Sequence, residues 1–493
     1  MQFQSTKRSR FLRACLIAVV AAGAAQAQAK LDTTTFVVLG EGLAAGMANY
    51  GLNSTFQTRN FPAVMATQMN TAFPQPLIQP PGIGDVIGYP QREVITPTLP
   101  QGTVRVFPEQ PNPNDNAPPV FVLNLSVPGH KLVDAINLRP VAPIVQKDMK
   151  QTVVNMILGF PQLFFQRTVP LWSQTEYAKA MFPTMALVEL GYYEALEAAV
   201  AGDPTKIPDP VAWGQSYAQV VQSLRQLQAQ VIVTTIPNPI ETAYFANPRV
   251  AASIVATAPF ILTAGYQLTQ NDYITRKGME VIATQFWNRT IGPLPAGSIL
   301  RANVAADITN RVNALNAQIV NAAKANGAVV YDLNAFLHKI YVTGVTVGTR
   351  SINADYFGGF YSLDAVYPGP TGHALIANDI LAFLNQTYKT SFSLVDAKTV
   401  AAGDPVFAYQ KPGNGRYSGQ QLRVTDGPAD LLLEAEAAAA QEAAAEAAAE
   451  SAADAPVDTS AEANLDEPAV DAAADAAPNP TEYTVTDSGT AAE

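Results

Sequence analysis

Phe36-Val37-Val38-Leu39-Gly40-Glu41-Gly42-Leu43 is the stretch that decides the fold of this chain. Four apolar residues that favour β-structure lead into a turn that contains two glycines. This pattern is typical of a buried parallel strand that delivers its following turn to the edge of a sheet. The stretch therefore predicts a strand over Phe36–Leu39 and a candidate site at the turn.

Similar apolar runs recur along the chain and alternate with helical patterns. The further predicted strands are Val120–Leu125, Met185–Leu190, Val231–Ile236 and Val329–Leu333, and the main predicted helices are Tyr217–Gln230, Ala305–Asn326 and Ala374–Tyr388. Buried strands that alternate with helices predict an α/β fold, a three-layer α/β/α sandwich with a mainly parallel central sheet. In such sheets, ligands bind outside the carboxyl ends of the strands.

Three later motifs accompany the first, in a fixed order along the chain. They are Val122–Gly129 (VLNLSVPG), Met185–Tyr193 (MALVELGYY) and Phe360–Asn378, which contains SLDAVYP and TGHALIAN. Together with the turn at Gly42, these motifs resemble the four blocks of the GDSL (SGNH) esterase/lipase family. The resemblance covers roughly residues 34–390. It implies a flavodoxin-like α/β sandwich and, where the motifs are intact, hydrolysis of ester bonds.

The resemblance also shows which catalytic positions have changed. Gly42 stands at the position of the nucleophilic serine, Tyr192 at that of the asparagine and Tyr367 at that of the histidine. Asp364 matches the triad aspartate, and Gly129 matches the glycine of the oxyanion hole. The backbone N–H groups of Gly42 and Gly129 are therefore the expected remaining oxyanion donors.

Ester hydrolysis by this route needs a hydroxyl nucleophile, a base beside it and oxyanion donors. Gly42 has no side chain, and a phenol of pKa about 10 at Tyr367 is a poor base at neutral pH. None of the three histidines falls at the position of the base: His130, His338 and His373. Ser126 and Ser362 lie close to the motifs and are the alternative nucleophiles.

Two further features leave alternatives open. Glu41 replaces the aspartate that the family carries beside its serine, so it either orients the turn or acts on a substrate or a water molecule. Tyr192, Tyr193 and Tyr367 bring three phenols toward one crevice. Aromatic rings with a polar end can stack on a ligand and donate a hydrogen bond, or they can simply fill the space of a lost site.

Three functional hypotheses follow from these residues. The leading one is an exported, non-catalytic member of the GDSL/SGNH hydrolase family that binds an ester, lipid or sugar ligand. The second is an active carboxylic-ester hydrolase with a rearranged site. The third is a structural envelope or surface protein, which a closed crevice would favour. No metal or cofactor is expected, and the nearly neutral body of the chain gives no electrostatic case for nucleic-acid binding.

The first 29 residues read as a secretory signal peptide. Four basic residues at positions 7–13 precede the short apolar run Ala14–Ala24, and small residues around Ala27 supply a cleavage site. Cys15, the only cysteine, lies inside this segment, so the mature protein has no thiol chemistry. We therefore expect a bacterial periplasmic or extracellular protein without a transmembrane span after cleavage.

Composition also divides the rest of the chain. Residues 30–395 are predicted to form the hydrolase-like domain, with insertions at about 71–119 and 240–300. Residues 73–119 carry twelve prolines, which block regular helix and central strand. Residues 396–429 are predicted to be an irregular extension. Residues 424–493 contain 17 acidic and no basic side chains, so a solvated, disordered tail is predicted from about residue 430.

Overall fold

The computed structural model describes residues 30–80, 82–84, 87, 104–106, 121–160, 162–165 and 170–409. Its strands are β1 (Phe36–Gly40), β2 (Pro76–Ile78), β3 (Val104–Val106), β4 (Met185–Glu189), β5 (Gln230–Thr234), β6 (Phe245–Ala246), β7 (Tyr273–Thr275), β8 (Ile299–Leu300), β9 (Val329–Tyr331), β10 (Val345–Val347) and β11 (Arg350–Ile352). The described residues all fall within one compact unit of the chain.

The α-helices fall mainly between these strands. They are Gly42–Ala45, Ser54–Gln57, Phe61–Gln68, Leu132–Asn137, Met149–Ile157, Gln162–Phe165, Gln174–Ala180, Tyr192–Ala201, Pro210–Arg225, Pro248–Ile254, Pro259–Gly265, Arg276–Trp287, Ala302–Asn326, Leu333–Thr343, Pro370–Tyr388 and Ala397–Ala402. Short 3₁₀ helices cover Pro204–Lys206, Pro239–Glu241 and Pro405–Tyr409.

The central sheet is parallel and confirms the predicted α/β class. Its strand order is β1-β4-β5-β9, and β1 pairs with β4 from Phe36–Met185 to Gly40–Glu189. On the other side of β1, the segment 123–127 runs parallel to it. The Val38 N–H donates to Leu123 O at 2.9 Å, and the Val127 N–H donates to Gly40 O at 3.1 Å. The segment 123–127 thus serves as a further strand.

The core lies between this sheet and its helices. Every residue of β1 and β4 is buried, as their nearly continuous apolar sequences require in a sheet covered on both faces. The helices Pro210–Arg225 and Ala302–Asn326 pack against each other, and Pro370–Tyr388 packs against Phe61–Gln68. Their apolar positions, spaced three and four apart, supply the buried side chains.

Two boundaries differ from the sequence-based prediction. The strand predicted over Val120–Leu125 makes its parallel backbone hydrogen bonds from Leu123 to Val127, and Pro128, which has no N–H to donate, follows it. The extension predicted to be irregular from residue 396 begins with the helix Ala397–Ala402. Asp396 starts this helix, because its side chain accepts the Lys398 N–H.

The second predicted insertion forms a small structural unit of its own. The antiparallel strands β6, β7 and β8 lie at its base, and the helices Pro248–Ile254, Pro259–Gly265 and Arg276–Trp287 lie between them in sequence. Of the first predicted insertion, the structure shows the antiparallel pair β2–β3. The predicted signal peptide and the predicted acidic tail lie outside the described residues.

Within the described ranges, no single helix combines the length and apolar character needed to cross a membrane. The helices Pro248–Ile254 and Pro259–Gly265 meet that test only when they are taken together, across a bend of 111°.

Candidate functional site

The predicted site residues converge at the carboxyl ends of the parallel strands. Gly42 directly follows β1, Gly129 follows the segment 123–127, and Tyr192 follows β4. The chain adds strands to both sides of β1, so β1 borders a topological switch point, the place where such sheets bind ligands. The loop that carries Asp364 and Tyr367 packs over this edge.

The ring of Tyr367 occupies the space above Gly42. A Cβ atom placed on Gly42 would lie 2.7 Å from both Cζ and Oη of Tyr367, far inside van der Waals contact. Gly42 is buried, and Tyr367 is only 2% exposed. The position that holds the nucleophile in intact relatives of the motif therefore has no room for a side chain.

Glu41 is the hydrogen-bond partner of Tyr367. The Tyr367 hydroxyl donates to Glu41 Oε2 at 3.1 Å, and the Leu43 N–H donates to Glu41 Oε1 at 2.7 Å. Burial raises the pKa of Glu41 to about 7, while its bonds to the Leu43 and Gly42 amides and to Tyr367 counteract the rise. The Gly42 amide, predicted to be an oxyanion donor, thus faces a carboxylate of the protein itself.

A second buried carboxyl group, which the sequence analysis missed, supports this turn. The Glu41 N–H donates to Glu189 Oε2 at 3.1 Å. Glu189 is the last residue of β4, and burial, followed by the nearby charge of Glu41, raises its pKa well above the usual range. An acidic residue at the end of an otherwise apolar strand, inside the motif Met185–Tyr193, was the available signal.

Asp364 organises its own loop. Its Oδ1 accepts the N–H groups of Val366 and Tyr367, both at 2.9 Å. Burial raises the pKa of Asp364 to about 6, and these two backbone bonds counteract the rise. The loop turns sharply at Ala365, whose φ is 63°. Asp364 therefore shapes the turn that points Tyr367 toward Glu41.

The other two phenols complete the filling of the crevice. Tyr192 is buried, and its ring packs edge-on against Tyr367 with centroids 6.3 Å apart. Its hydroxyl donates a long bond of 3.4 Å to Val366 O. Gly129 has φ of 80°, and a Cβ on it would lie 3.7 Å from Cζ of the half-buried Tyr193. Tyr192 thus packs with the loop and Tyr367, whereas Tyr193 lies beside Gly129.

The three histidines of the chain are all in the described part and all have other partners. His130 Nδ1 lies 3.4 Å from Gln174 Oε1, and burial lowers the pKa of His130 to about 4. The Phe61 N–H donates to His373 Nδ1, and burial lowers the pKa of His373 to about 3. His338 is exposed, with Nδ1 2.9 Å from a carboxylate oxygen of Glu241, as expected for a structural helix position.

The alternative nucleophiles lack a base. The Ser126 hydroxyl is buried and has no hydrogen-bond partner within the described ranges. Ser362 Oγ accepts the Asn49 N–H at 3.0 Å and also bonds to Asp364. No described hydrogen bond joins either serine to a histidine. Nor do the described residues contain a group of three or more histidine, cysteine or carboxylate side chains that could hold a metal ion.

The chain was compared with known families, proteins and structures. No protein-family model matches it, and no curated protein matches it. Solved structures to which it is similar include TesA, at 12% identity and a TM-score of 0.29, over 71% of this chain and 98% of that chain. Phospholipase A1 from Streptomyces albidoflavus NA297 is similar at 12% identity and a TM-score of 0.30, over 72% of this chain and 100% of that chain. An extracellular lipase from Streptomyces rimosus is similar at 12% identity and a TM-score of 0.28, over 71% of this chain and 98% of that chain.

Proposed function

We propose that this chain is an exported, non-catalytic protein built on the SGNH/GDSL architecture, in which the former catalytic crevice has become part of the core. The observation that carries the proposal is the position of the Tyr367 ring, which fills the volume that a nucleophile at Gly42 would need. The resemblance of the four motifs supports the architecture, and the buried phenols support the loss of the crevice.

The chemistry of the remaining residues supports the same conclusion. Covalent ester hydrolysis depends on a nucleophile and a base acting as one unit. Burial and the neighbouring Glu41 raise the pKa of Tyr367 well above its usual range, so the phenol at the histidine position stays protonated. Glu41 has no exposed surface, which separates its carboxylate from any substrate or water in the solvent.

The other hypotheses have less support. An active hydrolase with a rearranged site would need a serine–histidine pair, and both serines considered lack a histidine partner among the described residues. An ester, lipid or sugar ligand between the phenols has less support, since Tyr192 and Tyr367 are each 2% exposed and only Tyr193 is partly exposed. A closed crevice instead favours the structural envelope or surface protein, which is the form of non-catalytic function that we propose.

An esterase assay tests the proposal. We expect purified mature protein to show no turnover of p-nitrophenyl acetate or butyrate above buffer and no labelling by a fluorophosphonate, which requires an activated serine. Even with an intact oxyanion hole, a protease without its triad retains only ~10³–10⁴-fold catalysis over water. Asp364→Ala should give the same background. Turnover by the parent protein that Asp364→Ala abolishes would contradict the proposal.

Restoring the lost groups is the complementary test. The variant Gly42→Ser/Tyr367→His is the minimum that supplies both nucleophile and base, and Tyr192→Asn should increase any activity by adding an oxyanion donor. Gly42→Ser alone should remain inactive, because the Tyr367 ring obstructs the new hydroxyl and no base is present. Fluorophosphonate labelling of the single variant at the level of the triple variant would show that the Tyr367 ring does not close the site.

Export is a separate part of the proposal. It rests on the basic and apolar segments of residues 1–29. Mass spectrometry of protein recovered from the periplasm or medium of a bacterial host should show an N-terminus at Gln28 or Lys30. Recovery of only the unprocessed chain from the cell would contradict export.

A further inference from the structure

An uncharged stretch marks the insertion at 240–300. The 22 residues Val250–Asn271 contain no charged side chain, and Arg249 and Asp272 flank them. The structure folds this stretch into the helices Pro248–Ile254 and Pro259–Gly265, bent by 111°. Part of its apolar surface is buried, since Ile254 and Leu262 are 2% and 0% exposed. The opposite surface of the second helix is open, because Phe260 is 69% exposed.

Two further exposed apolar side chains lie in the same unit. Trp287, at the end of the helix Arg276–Trp287, is 83% exposed, and Ile291 in the following loop is 55% exposed. We call Phe260, Trp287 and Ile291 the apolar patch. Three large apolar side chains exposed within one insertion are informative, because grouped apolar exposure is typical of an interaction surface, whereas a single exposed side chain is not.

Contacts across the unit hold these segments together. Ile291 packs beside Gly265, whose added Cβ would lie 3.4 Å from the Ile291 side chain. The Tyr266 hydroxyl donates to Gln285 Oε1 at 2.9 Å, and the Gly292 N–H donates to the same oxygen at 3.0 Å. The uncharged helix, the end of the tryptophan-bearing helix and the Ile291 loop therefore pack against one another.

The charge beside the patch is positive. Arg289 is exposed and lies two residues from Trp287, and Arg249 is exposed at the start of the uncharged stretch. The acidic residues of this region have other partners, since Glu280 pairs with Arg276 and Asp272 pairs with Arg301. Among the described residues, neither Arg249 nor Arg289 has a carboxylate at ion-pair distance.

We propose that the apolar patch and its two arginines bind the surface of a lipid bilayer that carries anionic head groups. Tryptophan and phenylalanine enter the boundary between head groups and acyl chains, and arginine is attracted to anionic lipid. A second copy of the chain fits less well, because a twofold contact through the patch would bring like-charged arginines together. The proposal does not depend on whether the crevice is catalytic, since vesicle binding and ester hydrolysis are measured separately.

Vesicle binding by the full mature protein is the first measurement. Vesicles of phosphatidylcholine with about one third phosphatidylglycerol should sediment the protein, and pure phosphatidylcholine should sediment much less of it. Binding should also move the tryptophan emission to shorter wavelength and allow quenching by brominated acyl chains. Trp287→Phe should abolish that spectral change yet keep binding, because the other two tryptophans, Trp172 and Trp213, lie away from the patch and are half-buried and buried.

Substitutions then identify the surface. Phe260→Ser and Trp287→Ser should each weaken partitioning by about ten-fold, given the apolar area each side chain would bury. Arg289→Glu should weaken binding to the anionic vesicles by about five-fold or more, with no effect on the neutral ones. Phe182→Ser is the matched control, because Phe182 is 72% exposed and lies outside the insertion. Unchanged thermal unfolding of each variant would show that its fold is intact.

The proposal is overturned by three results. The first is no sedimentation with anionic vesicles. The second is an equal loss of binding in the Phe182→Ser control. The third is a dimer, seen by light scattering, that Trp287→Ser dissociates while the parent protein shows no vesicle binding.

Discussion

At the residue scale, Gly42 and Tyr367 are complementary in size. The absence of a side chain at position 42 leaves the space that the Tyr367 ring fills, and the ring is held there by the Glu41 carboxylate. Gly42 is helical, with no positive φ, so an alanine at this position would be limited by the ring and not by its backbone. The residues at positions 42 and 367 are therefore structurally coupled.

A double-mutant cycle tests this complementarity. Gly42→Ala should lower the free energy of unfolding by about 1–3 kcal/mol, because the new methyl group overlaps the Tyr367 ring. In a Tyr367→His background the same change should cost clearly less, and the difference measures the coupling. Gly403→Ala is the control, since a Cβ there would contact nothing closer than 4.0 Å. Equal costs in both backgrounds, measured by chemical denaturation, would refute the coupling.

The pKa of Glu41 predicts a pH dependence of stability. Its folded pKa of about 7 exceeds the ordinary glutamate pKa of 4.5, so the folded protein binds more protons between these two pH values. The stability that Glu41 contributes is thus fully present below about pH 4.5 and is lost as the pH rises through about 7. Glu41→Gln, which cannot ionise, should gain up to roughly 3 kcal/mol over the parent protein between pH 5 and pH 8.

Urea denaturation of both proteins at pH 5 and pH 8 provides the measurement. The comparison with Glu41→Gln removes the opposing contributions of His130 and His373, whose lowered pKa values act in both proteins alike. A Glu41→Gln protein that loses stability relative to the parent as the pH rises would reverse the predicted sign.

The residues of the site were largely predictable, but their roles were not. Motif order placed Gly42, Tyr192 and Tyr367 near one another, because residues that follow neighbouring parallel strands meet at one edge. Neither motif order nor composition gives the direction of a side chain. The contact of Tyr367 with Glu41 depends on the conformation of the Asp364 loop, whose residues lie more than 300 positions from Gly42 in sequence.

At the element scale, strand type was easier to predict than strand ends. The apolar runs of β1 and β4 fixed their identity, because both faces of these strands are covered. The segment 123–127 was harder, since its Asn124 side chain is polar and bonds to Ala44 O and Gln75 Oε1 in the interior. In the second insertion, one helix ends at Ile254, and Pro259 begins the second helix of the bent pair.

The Asp364 loop supplies the prediction at this scale. Asp364→Ala should lower the free energy of unfolding by about 2–4 kcal/mol, because it leaves the buried Val366 and Tyr367 amides without an acceptor. Asp364→Asn keeps an acceptor oxygen and should cost less than half as much. Chemical denaturation at neutral pH distinguishes the two. Equal losses in both variants would mean that charge, and not the two backbone hydrogen bonds, maintains the loop.

At the scale of the whole molecule, the C-terminal end of the body was the boundary that composition did not locate. The predicted domain stops at residue 395, yet the chain remains packed to the last described residues. Asp404 Oδ2 accepts the Thr371 N–H at 2.8 Å, at the start of the helix Pro370–Tyr388. Val406 and Phe407 are buried. This segment was missed because a short loop-rich sequence has no periodicity to reveal burial.

Two truncated proteins test where the folded body ends. A chain of residues 30–409 keeps the Asp404 contact and the side chains of Val406 and Phe407, so its thermal unfolding should match that of the mature protein.

A chain of residues 30–395 loses two buried apolar side chains, worth about 1.5–3 kcal/mol each, and one hydrogen bond worth about 1 kcal/mol. Its free energy of unfolding should therefore fall by roughly 4–7 kcal/mol, enough to unfold a marginally stable domain. The variant Phe407→Ala in the 30–409 protein should reproduce about half of that loss, because it opens the space beside Gly359 that the ring fills. If residues 30–395 unfold at the same temperature as residues 30–409, the terminal segment contributes nothing to the body and the predicted domain boundary stands.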